Sequence, residues 1–169
     1  GRAVSSGHSM AGRATIEPGQ VLCADLCGVR DRYHTNVMRG VFLGDPPPEM
    51  VRQYEKAARV VDLFRQEVRA GMTVGEVNGL VRDTLGSLGL DGAAGWVLGY
   101  ELGLSLPPDW VGEFYFHFQD GKYLDRVFEE NMVTNLESLF NTWLIDTLVY
   151  EPEGCRVLSD TPLELLVAG

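Results

Sequence analysis

The 169-residue sequence has no apolar run of membrane-spanning length, no cluster of consecutive Lys or Arg, and only three cysteines. The first absence removes any segment able to cross a bilayer as a helix. The second matters because 14 basic against 24 acidic residues leave a formal charge of −10, which repels phosphate backbones and anionic headgroups. Neither nucleic acid nor a membrane is therefore an expected partner. An odd number of cysteines (Cys23, Cys27 and Cys155) provides no paired disulfide framework and predicts buried, inert thiols in a reduced, cytoplasmic compartment. Cys23 and Cys27 lack the further ligands a zinc site needs. What is present is ordinary globular composition, 45% apolar and 22% charged, enough for one domain with a core. The opening Gly-Arg-Ala-Val reads as a start inside a domain.

Residues Gln20 to Ala24 and Gly40 to Leu43 are short apolar runs that predict two adjacent strands, with the polar stretch Cys27 to Arg39 as the loop between them. Asp45-Pro46-Pro47-Pro48 opens a helix, since proline is tolerated in a first turn. Met50, Tyr54, Ala57, Val61, Phe64 and Val68 then form one apolar stripe that must face a sheet, and Gly71 ends it. Thr73 and Glu76 make a capping box for a second helix, with Val77, Leu80, Val81, Thr84 and Leu88 on one face and Gly89 at its stop. From Gly95 onward the pattern is strand-like. Phe114 to Phe118, the Asp120-Gly121 turn and Tyr123-Leu124 predict a hairpin, followed by strands near Asn131 to Leu136, Leu144 to Tyr150 and Arg156 to Leu158. The fold class is α+β, an antiparallel sheet covered by helices.

In order along the chain, Asp25-Leu26, Arg32-Tyr33-His34, Arg39, Gly44, Gly71-Met72-Thr73, Gly99-Tyr100, Gly103-Leu104, Asn131-Met132, Glu137 and Asp146-Thr147 resemble the catalytic half of creatinase, proline dipeptidase and methionine aminopeptidase relatives. The resemblance implies the pita-bread fold, with residues 1–169 as the C-terminal part of a creatinase-like catalytic domain. The N-terminal domain and the first part of the repeat are then missing, or supplied by a separate chain of the same protein. The segments 25–34 and 99–110 are similar to the ectoine hydrolase branch, whose members cleave a C–N bond of a small zwitterion. The same resemblance implies a homodimer.

A two-metal peptidase site in this superfamily uses two Asp, a His and two Glu, hard oxygen donors plus an imidazole. By resemblance those positions hold Asp25, Asn36, Tyr100, Glu137 and, for the last, either Ile145 or Asp146. An amide and a phenol do not replace an anion and an imidazole, so the expectation is no metal and no cofactor. What remains suits acid–base work. His34 is the expected proton carrier, its alternative being a histidine that satisfies a buried loop carbonyl. Asp25, Asp146 and Glu137 complete the catalytic set, paired acids being able to split into one charged and one protonated group; a salt bridge, as with Arg39, is their ordinary alternative.

Tyr33, Tyr100, Trp110 and Trp143 are expected to wall a pocket for a cationic or planar small-molecule substrate, against core packing as the plainer reading. Arg39, Glu113, His8 and Asn135 are further substrate-binding candidates. Glu113 resembles the family's Glu after Trp but is displaced by Val111, and His8 in Ser5-Ser6-Gly7-His8 resembles a substrate-binding loop. Asn135 stands where the ectoine hydrolase branch has His, Gly40 replaces a Thr, and the stretch from Met132 to Asp146 is short for that branch. The leading expectation is a metal-independent enzyme acting on a C–N bond of a small amino-acid-derived substrate, by hydrolysis, cyclisation or elimination. The alternatives are a non-catalytic module binding a peptide or protein, and a metal-dependent Xaa-Pro peptidase.

Overall fold

The computed structural model describes residues 12–104 and 111–169. Two helices cover one side of a single mainly antiparallel sheet. Its strands are β1 (Val21–Arg30), β2 (Tyr33–Leu43), β3 (Trp96–Tyr100), β4 (Tyr115–His117), β5 (Val133–Leu139), β6 (Leu144–Glu151), β7 (Gly154–Val157) and β8 (Leu166–Ala168). They lie in the order β1-β2-β6-β5-β3-β4, with β7 beside β6 and β8 parallel to the end of β2.

Helix α1 (Pro48–Glu67) starts where the proline run fixes the backbone, with Glu49 in its positive first turn, and buries Tyr54, Ala57, Val60, Val61 and Phe64. It stops at Val68, before the Gly71 that the sequence marked, because Val68 turns extended and packs into the core. Helix α2 (Val74–Leu88) has the predicted capping box, with Thr73 and Glu76 bonding each other's backbone N–H, and Gly89 closes it in the left-handed conformation. Both helices press on a layer in which Phe114, Phe116, Phe128 and Tyr150 lie ring against ring; Phe128 and Tyr150 have centroids 4.6 Å apart. Each fully buried ring or aliphatic chain here contributes about 1.5–3 kcal/mol. Tyr150 brings its hydroxyl with it, and Thr134 Oγ1 at 2.9 Å satisfies it.

Three expectations need correction. The polar stretch from Cys27 to Arg39 is not a loop: β1 and β2 run through it as one long hairpin, in register from Val21 opposite Phe42 to Arg30 opposite Tyr33. Its two-residue turn puts Asp31 and Arg32 at φ 51° and 71°, the mirror-image turn geometry that suits strand twist, without the usual Asn-Gly signal. Tyr123-Leu124 forms no strand, because Tyr123 takes φ 57° and the chain turns back toward α2, where Leu124 accepts from Gly75 N–H. Finally, of the three thiols only Cys155 is buried; Cys27 is exposed and Cys23 half-buried, since β1 is the open edge of the sheet.

Candidate active site on the open face of the sheet

Side chains alternate across a strand, so register decides which residues share a face. Asp25 is opposite Met38 and Cys27 is opposite Asn36. Met38 is opposite Ile145, Ile145 opposite Glu137, and Glu137 opposite Leu98, two residues before Tyr100. Asp25, Cys27, Asn36, Ile145, Asn135, Glu137 and Tyr100 therefore lie on one face, turned away from the helices.

Asn36 organises the β1–β2 end. Its side-chain amide donates to Asp25 Oδ1 at 2.7 Å and to Cys27 Sγ at 3.5 Å, while its backbone exchanges bonds of 2.8 and 2.9 Å with Thr147 Oγ1. Asn135 organises the other end, donating to Glu137 Oε1 at 3.0 Å and accepting from the Tyr100 backbone N–H at 2.8 Å. The Trp96 and Tyr100 side chains lie near enough to Glu137 to favour its charged form. Burial is the largest influence on this carboxyl, and the charge of Asp25 adds to it; together they outweigh the neutral donors and push Glu137 up to about 7. Burial, then Glu137 and Asp25, also raise the Tyr100 phenol, which stays protonated. Cys27 is raised by burial and by Asp25, so it is a thiol rather than a thiolate.

His34 lies on the same face of β2, two residues from Asn36, rather than in a loop. It is buried, and its Nδ1 is 3.0 Å from the Gly103 carbonyl oxygen that also accepts from its backbone N–H at 3.1 Å. This is the carbonyl-satisfying arrangement, which ties β2 to the 99–104 segment.

Asp146 does not join the cluster. It is opposite Leu136, a core residue, and so points to the helix side of β6. There it is fully buried, 2.8 Å from Arg39 and 2.8 Å from Ser159 Oγ. Arg39 is spent on the same network, donating to the carbonyls of Met38, Ile145, Thr161 and Pro162. Neither is placed to meet a substrate beside Glu137, because each already satisfies the other in the interior. The register also puts Ile145, not Asp146, across from Glu137.

Tyr33 alternates to the face opposite His34 and is exposed near the hairpin turn, so it walls nothing. Glu113 is exposed, and its carbonyl accepts from Arg126. Trp143 is half-buried, two residues before Ile145, and its carbonyl accepts from the Tyr54 hydroxyl at 3.4 Å. His8 and Trp110 lie outside the described residues. Sequence reasoning passed over Trp96 and the roles of Cys27 and Asn36, although steps of two from Tyr100 and from Asp25 would have found Trp96 and Cys27.

The cluster does not fit a metal centre. Asn36 donates an amide N–H to Asp25, so it presents a hydrogen and not a lone pair beside that carboxylate. Ile145 offers no lone pair, and Tyr100 keeps its proton. Among the described residues no group of three His, Cys, Asp or Glu side chains could hold a metal ion.

The model of metallopeptidase family M24 matches residues 2–158, and the chain belongs to that family. It is 24% identical over 183 residues to an ectoine hydrolase of Halomonas elongata, covering 99% of this chain and 42% of that protein. It is 24% identical over 165 residues to an Xaa-Pro dipeptidase of Pyrococcus furiosus, covering 94% and 45%. The X-Pro aminopeptidase of Thermotoga maritima superposes with TM-score 0.77 at 20% identity over 96% of this chain and 45% of that one. The fold is the pita-bread fold, and the chain spans less than half the length of the curated relatives it matches. No helix among the described residues is long and apolar enough to cross a membrane.

Proposed function

We propose that this chain carries the reactive face of an enzyme that hydrolyses a C–N bond in a small amino-acid-derived molecule without a bound metal, with Glu137 as the proton carrier. The arrangement behind this reading is a half-buried carboxyl on the open face, pushed up to about 7 by burial and Asp25 and held beside that second carboxylate by a cluster of neutral hydrogen-bond donors. A group half-protonated at working pH is suited to both halves of a hydrolysis. Glu137 as carboxylate takes a proton from water as the oxygen bonds to the substrate carbon. The resulting acid returns that proton to the nitrogen as the C–N bond breaks. Asp25, held by Asn36, supplies negative charge to a cationic substrate. The name of the Halomonas elongata relative supports a small cyclic substrate over a long peptide.

This reading moves the proton-carrying role from His34, which is engaged with Gly103, to Glu137. Assaying the purified protein against cyclic amidines and small N-acyl amino acids tests it. Turnover is expected to survive chelators, and Glu137→Gln is expected to lose about 10²–10⁴-fold in kcat. Loss of turnover on chelation, restored by a divalent ion, would sink it.

A second reading is a non-catalytic binding module, favoured by the protruding β1–β2 hairpin, which leaves Leu26, Val29 and Tyr33 more than half exposed. A metal-dependent Xaa-Pro peptidase is disfavoured by the residues at positions 36, 100 and 145.

A further inference from the structure

A polar cavity of about 630 Å³ lies apart from the Glu137 cluster, between the last turn of α1, strand β7 and the segment 158–163. We infer that it is a second site, one that binds the oxyanion group of a small organic molecule, a phosphate monoester or a dicarboxylate, between Arg65 and Arg156. Its volume is in the range of small-molecule pockets, roughly 300–1,000 Å³.

One wall is preformed. Arg39 holds the carbonyls of Thr161 and Pro162, and Asp146 holds the Ser159 hydroxyl, so the buried ion pair fixes the segment that lines the cavity. Little ordering is then left to oppose binding.

The unused guanidinium donors give the ligand its sign. The residues that line this cavity carry two guanidinium groups and one carboxylate, Asp160, and Asp62 and Glu151 stand beside the arginines. Neither arginine is saturated. Arg65 approaches Asp62 only to 3.9 Å, and Arg156 meets Glu151 through Nε at 2.9 Å, one of the five donors a guanidinium carries. Both side chains are more than half exposed, at 54% and 58%, and so can turn to an incoming anion. A planar fork of donors matches carboxylate or phosphate oxygens two at a time.

The test is calorimetric titration of the protein at fixed ionic strength with inorganic phosphate, succinate and glycerol. Saturable binding of one anion per chain is expected for phosphate or succinate, whichever is the tighter identifying the ligand class, with no heat from glycerol. The double variant Arg65→Gln, Arg156→Gln is expected to weaken it at least about tenfold with an unchanged far-ultraviolet circular dichroism spectrum. Glu151→Gln, which removes the competing carboxylate, is expected to tighten it. Absence of binding by both anions, binding indifferent to the loss of both arginines, or no gain from Glu151→Gln would overturn the assignment. None of these outcomes depends on Glu137.

Discussion

The two faces of the sheet each carry a carboxyl group on adjacent strands, Asp146 fully buried and Glu137 half-buried, and the two keep different company. Asp146, on the helix side, has a guanidinium at 2.8 Å and a hydroxyl at 2.8 Å, so its charge is matched and its oxygens are occupied. Glu137, on the open side, has only an amide, a phenol and an indole for company, with another carboxylate as its nearest charge. Burial raises both carboxyls; beside Asp146 a cation opposes the rise, and beside Glu137 none does. The first arrangement holds β2, β6 and the 158–163 segment together, and the second stores a proton near neutral pH.

The comparison is easiest to break on the helix side. Arg39→Met strands the Asp146 charge in the interior, and urea unfolding is expected to show a loss of about 3–5 kcal/mol. Pairing it with Asp146→Leu is expected to recover most of that loss, since no charge is then left uncompensated.

On the open face no cation stands against burial. The folded ionisation of Glu137, about 7, lies above its ordinary 4.5, so folding favours the protonated form. The stability is therefore fully present below pH 4.5 and is lost as pH rises through 7. Glu137→Gln is expected to remove that loss and to be more stable than the parent by about 2–3 kcal/mol at pH 9. Thermal melts of both proteins at pH 5 and pH 9 check this; an equal pH dependence in the two would contradict it.

The smallest effect sharpens the contrast. Ser159→Ala removes one of two partners of Asp146 and is expected to cost about 1–2 kcal/mol, with no change in the ionisation of Glu137. Denaturant unfolding and a carboxyl titration of the same variant measure the two halves of that statement.

Local chemistry explains which parts were legible in the sequence. The Thr73–Glu76 box and Gly89 announce α2 because caps are local. The polar half of the β1–β2 hairpin was not legible. Its residues are held by cross-strand pairing at an exposed edge, without an apolar alternation to mark them, and Asp31-Arg32 carries no glycine to signal the turn. Register was the other hidden variable. A shift of one residue moves Asp146 from the open face to the core, and only the pairing of Glu137 with Ile145 decides it. Glu137, Tyr100 and Asn135 were identified by residue type and order, but their convergence with Asn36 and Trp96 needed four strands to be laid side by side.

The most direct test is a carbon-detected NMR titration of the Glu137 carboxyl. A midpoint near 7 is expected, unmoved by stoichiometric zinc or manganese and lowered in Asp25→Asn as the neighbouring charge disappears. A midpoint near the ordinary carboxylate value, or one that falls when a divalent ion is added, would contradict the account.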